Sequence, residues 1–268
     1  MKKLIAMLLA LSLVLAFAGC ASEKAPETTA APETTSAPEV TEEVPDTSET
    51  GPAEAEGTVM THAEYVAADM DSSVCVETYV QATQSWWNNQ ITVYAQSEDG
   101  AYFLYNMECS EEAAAKLVPG AKIRVTGVKT EWEGEVEIVD GTFELLEGSY
   151  TAEPVDVTDL LGTDALIEHQ NEKVTFTGMT VEAANEAGDA FLYNSDGSGE
   201  AGSDSDLYFK ASVGGNTYTF VIEYYLCNET TDVYQTVTNL KVGDTIDMEG
   251  FLYWYNGSQP HITSVVVK

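Results

Sequence analysis

The amino-acid sequence predicts a mostly β protein with two similar halves, preceded by a long polar segment. Short segments of alternating apolar and polar residues, separated by turn residues, run from about residue 59 to the end of the chain. One spaced motif occurs twice in that region. All four Trp and all 14 Tyr also lie there. This content can build packed cores, which excludes a wholly disordered protein.

The N-terminus has the order of a secretory signal. Lys2 and Lys3 precede an uncharged apolar run over residues 4–18, which is too short to span a bilayer comfortably. The stretch Phe17-Ala18-Gly19-Cys20 resembles the bacterial lipobox. The resemblance implies that residues 1–19 are removed and that Cys20 carries a lipid. The protein would then be extracytoplasmic and anchored to the outer face of the cell membrane. An ordinary cleaved signal with an incidental Cys is the alternative.

Residues 20–58 predict a disordered acidic linker. Residues 21–58 hold nine Glu, eight Thr, seven Ala and five Pro, and no aromatic residue. Such a segment cannot bury enough apolar surface to offset its ordering entropy. We interpret it as a stalk between the lipid and the folded region, although an inert leader would have the same composition.

The repeated motif divides the rest of the chain into two copies. The pattern Leu-x-x-Gly-x-x-Ile-x-x-x-Gly begins at Leu117 and again at Leu240, an offset of 123 residues. Upstream, Val74 aligns with Val174 at an offset of 100, so the second copy contains insertions. We therefore predict one domain over residues 59–149 and another over residues 150–268.

Each copy predicts three strands, a short helix and two further strands. The first and third strands of the two copies are predicted at Val74–Thr83, Ala101–Met107, Val174–Glu182 and Thr217–Tyr225. Hairpin turns are predicted at residues 98–100 and 214–216, and helices at Ser110–Leu117 and Glu229–Leu240. The last two strands of each copy are predicted to meet at tight turns near Gly134 and Gly257.

This order of elements is that of the five-stranded OB barrel. The motif at the fourth strand resembles that of bacterial OB-fold domains, in which the helix enters the strand through a Gly. With the lipobox, the chain resembles the tandem-OB lipoproteins of Gram-positive bacteria, a cell-surface family. The resemblance implies two tandem five-stranded OB-type barrels, each with a short helix between strands three and four. An immunoglobulin-type sandwich is the alternative, and the position of the helix disfavours it.

OB barrels bind ligands on strands two and three and on the loops joining strands one to two and four to five. The aromatic and amide residues of these loops are the predicted ligand-binding residues: Trp86, Trp87, Asn88, Trp132, Tyr253, Trp254 and Tyr255. Flat rings beside amides suit sugars and peptides. We therefore predict a non-enzymatic binding or adaptor lipoprotein for an oligosaccharide or peptide. The alternatives are single-stranded nucleic-acid or nucleotide binding and a structural spacer without a ligand.

The charge limits the partners that we expect. The chain has 45 acidic and 11 basic residues, for a formal charge of −34. Such a surface repels phosphates, so we do not expect duplex nucleic acid as a partner. No nucleophile, zinc-protease or phosphate-loop motif is present, and His62, His169 and His261 are widely spaced. We therefore do not predict an enzyme.

An insertion in the second copy has the spacing of part of a calcium loop. The candidate ligands are Asn194, Asp196, Ser198, Asp204 and Asp206. Calcium is the one cofactor that the sequence suggests, and we favour the alternative of a solvated acidic loop.

The remaining polar and thiol groups are interpreted as structural. Four Glu at alternate positions over residues 131–137 are expected to form the solvent face of a strand pair. We favour free thiols for Cys75, Cys109 and Cys227, and a Cys75–Cys109 disulfide stays open.

Overall fold

The computed structural model describes residues 57–268, which form two β-barrels in succession. The elements of the first barrel are α1 (His62–Ala67), β1 (Ser73–Thr83), β2 (Gln90–Ser97), β3 (Gly100–Glu108), α2 (Glu111–Ala114), β4 (Ala121–Trp132) and β5 (Glu135–Ser149). The strands close in the order β1-β2-β3-β5-β4. β3 and β5 are parallel, and the other pairs are antiparallel.

The second barrel repeats this arrangement with two added strands. Its elements are β6 (Val155–Asp156), 3-10 helices at Thr158–Leu160 and Asp164–His169, β7 (Lys173–Glu182), β8 (Phe191–Tyr193), β9 (Leu207–Val213), β10 (Asn216–Ile222), α3 (Asp232–Val237), β11 (Thr245–Phe251) and β12 (His261–Val267). β7 pairs with both β9 and β11, so the cycle β7-β9-β10-β12-β11 matches that of the first barrel. The predicted fold is confirmed, including the short helix between the third and fourth strands of each barrel.

Both of these helices are shorter than predicted, because their ends are fixed by local geometry. Ser110 caps α2, its Oγ accepting from the backbone N of Ala113 at 3.2 Å, and Thr231 caps α3 in the same way. Between each helix and the next strand the chain turns at Gly120 or Gly243, where φ is +90° and +94°. Only Gly adopts this conformation without strain, which explains the first Gly of the repeated motif.

The last Gly of the motif lies where the backbones of the fourth and fifth strands leave no room for a Cβ. A Cβ at Gly127 would lie 2.7 Å from the carbonyl oxygen of Val139, and one at Gly250 would overlap the carbonyl of His261. The pairing register shifts at both positions. The last Gly of the motif therefore marks a β-bulge between the fourth and fifth strands, which each barrel needs in order to close.

Each barrel has its own apolar core, and a smaller aromatic cluster joins the two. In the first core, Val76, Leu104, Ile123 and Ile138 are fully buried. In the second core the fully buried residues include Phe176, Phe209, Phe220 and Ile246. Between the barrels, Tyr94, Phe103 and Phe251 pack together, with Tyr253 beside them. The two barrels therefore share a packed contact.

Two connections in the second barrel differ from the prediction. β10 ends at Ile222 instead of Tyr225, because the chain turns there and the backbone N–H groups of Leu226 and Cys227 bond to the carbonyl of Glu223. β11 and β12 are joined by residues 252–260, and the predicted tight turn near Gly257 lies inside this loop, where Trp254 and Ser258 form an isolated antiparallel bridge. Leu252 is buried in the core and Pro260 has no N–H to donate, so neither extends the pairing.

Several predictions concern residues that the structure leaves undescribed. The signal peptide, Cys20 and the linker up to residue 56 lie outside the described residues, and the domain boundaries stay predictions. Within residues 57–268, no helix is both long and apolar enough to cross a membrane. Cys75, Cys109 and Cys227 are buried free thiols, so Cys75 and Cys109 are not bridged.

Candidate functional site

A cleft of about 580 Å³ lies where the two barrels meet, and we call it the inter-barrel cleft. The first barrel contributes its β1–β2 loop, the outer face of β2 and β3, and its β4–β5 turn. The second contributes β9, the turn after β10, and the β11–β12 loop. The lining residues used below are Gln84, Ser85, Trp87, Tyr105, Trp132, Asp206, Tyr208, Glu223, Tyr225, Tyr253, Tyr255 and His261.

Trp87 is held at the cleft by a two-residue turn. Asn88 and Asn89 have φ of +50° and +61°, as a type I′ turn requires, and Asn tolerates this conformation. Trp87 and Gln90 exchange backbone hydrogen bonds across the turn at 3.1 and 2.9 Å. The indole of Trp87 remains 71% exposed. The loop sequence therefore presents a flat ring at the barrel rim.

Trp132 reaches the same cleft from the β4–β5 turn. Glu133 and Gly134 occupy the two turn positions with positive φ, and Trp132 is 58% exposed. The carbonyl of Glu133 accepts from the backbone N of Asn256, 2.7 Å away, in the β11–β12 loop. This bond joins the corresponding loops of the two barrels.

The second barrel adds four tyrosine rings, one of which is the partly buried Tyr253. Tyr225 and Tyr255 are exposed, and Tyr208 is partly buried. The carbonyl of Tyr225 accepts from the backbone N of Ser85 at 2.7 Å and from its hydroxyl at 3.2 Å. Rings from both barrels therefore face one cleft across a hydrogen-bonded junction.

His261 lies in the cleft with one nitrogen fixed. The residue is only 6% exposed, and its Nδ1 lies 2.6 Å from the hydroxyl of Tyr94. Its ring stacks on Tyr253 with centroids 4.1 Å apart. Burial lowers the pKa of His261 to about 3, so the imidazole is neutral at physiological pH.

Two carboxyl groups line the same cleft. The Oδ1 atom of Asp206 accepts from the backbone N of Tyr224 at 2.9 Å. The Glu223 oxygens accept from the backbone N of Tyr225 at 3.2 Å and of Leu226 at 2.6 Å. Burial, with the charge of Asp206, raises the pKa of Glu223 to about 7, and burial raises the pKa of Asp206 as well. No Lys or Arg is among the lining residues that the structure describes.

The predicted ligand-binding residues separate into two groups. Trp87, Trp132, Tyr253 and Tyr255 line the cleft. The other three have structural contacts: Trp86 donates from Nε1 to the carbonyl of Cys109 at 3.0 Å, Asn88 forms the turn, and Trp254 packs against Gly134.

Four of the candidate ligands in the predicted calcium loop form hydrogen bonds with protein groups. Asp196 accepts from the backbone N of Ser198 at 2.9 Å, and Asn194 donates to the Ser198 hydroxyl at 3.4 Å. Asp206 instead bonds to Tyr224 and lines the cleft, whereas Asp204 is exposed. Among residues 57–268, no three His, Cys, Asp or Glu side chains are placed to hold a metal. Calcium binding by this loop therefore stays a prediction.

The prediction of a solvent-facing row of Glu is wrong for its second half. Glu135 is 0% exposed and Glu137 is buried as well. Strand alternation does place them on the outer face of β5, but the second barrel covers that face. One Glu135 oxygen accepts from the backbone N of Trp254 at 2.8 Å and from Gln170 at 3.3 Å, while Oε1 has no hydrogen-bond partner in the described part of the chain. Burial raises the pKa of Glu135 to about 8 and that of Glu137 to about 7.

Sequence reasoning missed Tyr105, Tyr208, Tyr225, Glu223 and His261. Tyr105 lies on the third strand, which the ligand-face rule for OB barrels could have found. The others enter the cleft from the second barrel. No spacing in the sequence indicates that this barrel would pack against the ligand face of the first.

No family model matches this chain, and no curated protein matches it. Similar solved structures include the Ifi202 HINa domain in complex with 20-base-pair double-stranded DNA. That domain is 12% identical to this chain, with a TM-score of 0.33, and the match covers 74% of this chain and 98% of that one. The p202 HIN1 domain in complex with a 12-mer duplex is 12% identical with a TM-score of 0.32, covering 72% and 91%. A replication protein A heterotrimer bound to single-stranded DNA is 10% identical with a TM-score of 0.27, covering 73% and 49%.

These comparisons correct two predictions. The structures named above are complexes with double- or single-stranded DNA, so the predicted oligosaccharide or peptide adaptor is wrong. The expectation that duplex nucleic acid is not a partner is wrong on the same finding.

Proposed function

We propose that the inter-barrel cleft binds a nucleobase-bearing ligand, either an unpaired stretch of nucleic acid or a nucleotide. The observation that carries this proposal is the set of exposed rings that both barrels direct into one cleft. Every base has a π-face, and stacking on aromatic side chains contributes about 1–3 kcal/mol per base. Trp87, Trp132, Tyr225 and Tyr255 supply such faces. The proposal is one of binding without catalysis.

The charge of the cleft shapes this proposal. OB proteins that follow a nucleic-acid strand usually combine stacking with a basic groove. Here the described lining residues include Asp206 and Glu223 and no cationic side chain. We therefore infer that the base enters the cleft and that its phosphate stays outside in solvent. Binding should then release about one counterion or fewer, which gives a shallow salt dependence.

Fluorescence anisotropy of a labelled single strand of about eight nucleotides tests the proposal. We expect saturable binding that quenches Trp emission. Trp87→Ala and Trp132→Ala should each weaken it by about tenfold or more, since each removes a stacking face. Trp86→Phe is the matched control, because that indole packs against the first core, is bonded to Cys109 and is not among the lining residues.

Further arms of the same titration use the duplex of that sequence and a free mononucleotide. These arms show whether the ligand is a strand, a duplex or a nucleotide. Absence of saturable binding by both the single strand and the mononucleotide up to about 1 mM would contradict the proposal. The protein would then be a structural spacer.

We further propose that the protein is an extracytoplasmic lipoprotein of the Gram-positive type, anchored through Cys20. The support is the order of basic, apolar and small residues that ends at Cys20. Cys20→Ala should move the protein from the membrane fraction to the soluble fraction, whereas Ser22→Ala should leave it in place. Equal membrane retention of Cys20→Ala and the parent protein would refute the anchor.

A further inference from the structure

His261 has a defined donor and acceptor pattern. The Tyr94 hydroxyl accepts from Nε2 of Gln84 at 3.3 Å and lies 2.6 Å from Nδ1 of His261. A neutral imidazole has one nitrogen that accepts, and the hydroxyl hydrogen of Tyr94 has no other acceptor among the described residues. The arrangement that satisfies every group has Tyr94 donating to Nδ1. The hydrogen of the imidazole is then on Nε2.

This Nε2–H group is available to a ligand. It makes no hydrogen bond within residues 57–268, although the His261 side chain is more than nine-tenths buried. Nε2 retains some solvent-accessible surface, and His261 is one of the residues that line the cleft. Stacking on Tyr253 fixes the plane of the ring. His261 therefore presents one oriented donor.

Asp206 and Glu223 present acceptors to the same cleft. These carboxyl groups accept hydrogen bonds from three successive backbone N–H groups, at Tyr224, Tyr225 and Leu226. Each carboxyl keeps further lone pairs that can accept a hydrogen bond from a ligand. No cation within the described residues pairs with them. Two like charges side by side and half buried are stabilised when a ligand donates hydrogen bonds to them.

We propose that the inter-barrel cleft selects bases that carry an amino group, with His261 donating to a ring acceptor and the Asp206–Glu223 pair accepting from the amine. This inference rests on the nucleobase binding proposed above. Adenine and cytosine each place an acceptor beside an amino group. Thymine has a carbonyl where cytosine has its amine, and that oxygen would face a carboxylate. The cleft should therefore discriminate against thymine.

Homopolymeric single strands test the selection at constant backbone charge. Strands of dA, dC and dT of about eight nucleotides are titrated near pH 8, where the Glu223 carboxyl is ionised. We expect dA and dC strands to bind about tenfold more tightly than dT, the discrimination of one good base-edge contact. Glu223→Gln replaces an acceptor oxygen with an NH₂ group and should reduce the ratio to about threefold or less.

Asp206→Asn repeats this test while keeping the oxygen that bonds Tyr224. Glu153→Gln makes the same charge change at an exposed site outside the cleft and should preserve the full ratio. A long-range ¹H–¹⁵N spectrum should show the His261 hydrogen on Nε2. Equal binding of dT, dA and dC, or a ratio that neither Glu223→Gln nor Asp206→Asn changes, would overturn the selection and leave base binding intact. Failure of all three strands and of the free mononucleotide to bind would instead refute the proposed function.

Discussion

Replacing Glu135 with Gln should make the protein more stable at alkaline pH. Glu135 is sealed between the barrels, its Oε1 has no hydrogen-bond partner among residues 57–268, and the charge of Glu137 also raises its pKa. Burial raises its pKa from 4.5 to about 8, so the fold favours the neutral acid. This contribution to stability is complete below pH 4.5 and is lost as the pH rises through about 8.

The expected size follows from these two pKa values. At about 1.4 kcal/mol for each tenfold change, the difference corresponds to about 5 kcal/mol of the free energy of unfolding. Gln keeps an oxygen for the Trp254 N–H and cannot ionise. Glu135→Gln should therefore match the parent near pH 5 and exceed its stability by about 3 kcal/mol or more near pH 9.

Urea unfolding followed by circular dichroism at a series of pH values between these limits measures this difference. Glu133→Gln is the control, because it makes the same charge change on the exposed side of the same hairpin. The control should follow the parent at every pH. A Glu135→Gln protein whose stability falls with pH as steeply as that of the parent would refute the assignment of Glu135 as a buried, neutral acid.

Two further predictions concern packing. The buried Nζ of Lys129 donates to the carbonyls of Tyr65, Val66 and Ala68 at 2.8–3.0 Å. Lys129→Met removes this donor and should lower the free energy of unfolding, measured in urea, by about 2–3 kcal/mol. A loss under about 0.5 kcal/mol would contradict this role. Gly250→Ala should lower the free energy of unfolding by more than about 2 kcal/mol in the same assay, because the added Cβ would overlap the carbonyl of His261. A variant as stable as the parent would show that β11 can move.

The repeat was enough to predict the fold because it records backbone requirements. Gly120 and Gly243 adopt the positive φ that their turns require. Gly127 and Gly250 lie at close strand crossings, where a Cβ would clash. These needs are local and recur wherever the barrel recurs. The turns at residues 98–100 and 214–216 were predictable for the same reason.

The candidate site was predictable only in part, because it depends on how the barrels pack. Loop composition was enough to indicate Trp87 and Trp132 as rim residues. Alternation also placed Glu135 on the outer face of its strand, but alternation cannot show whether water or a second barrel covers that face. The same limit concealed His261, which reaches the cleft only through the contact between barrels.

The nucleobase cleft is tested most directly by the ¹⁵N-indole signals of the four Trp residues. Addition of the single strand should shift the signals of Trp87 and Trp132, which line the cleft. The signals of Trp86, bonded to Cys109, and of Trp254, packed on Gly134, should stay in place. Movement of Trp86 and Trp254 without Trp87 and Trp132, or no movement at saturating ligand, would contradict the assignment of the cleft as the binding site.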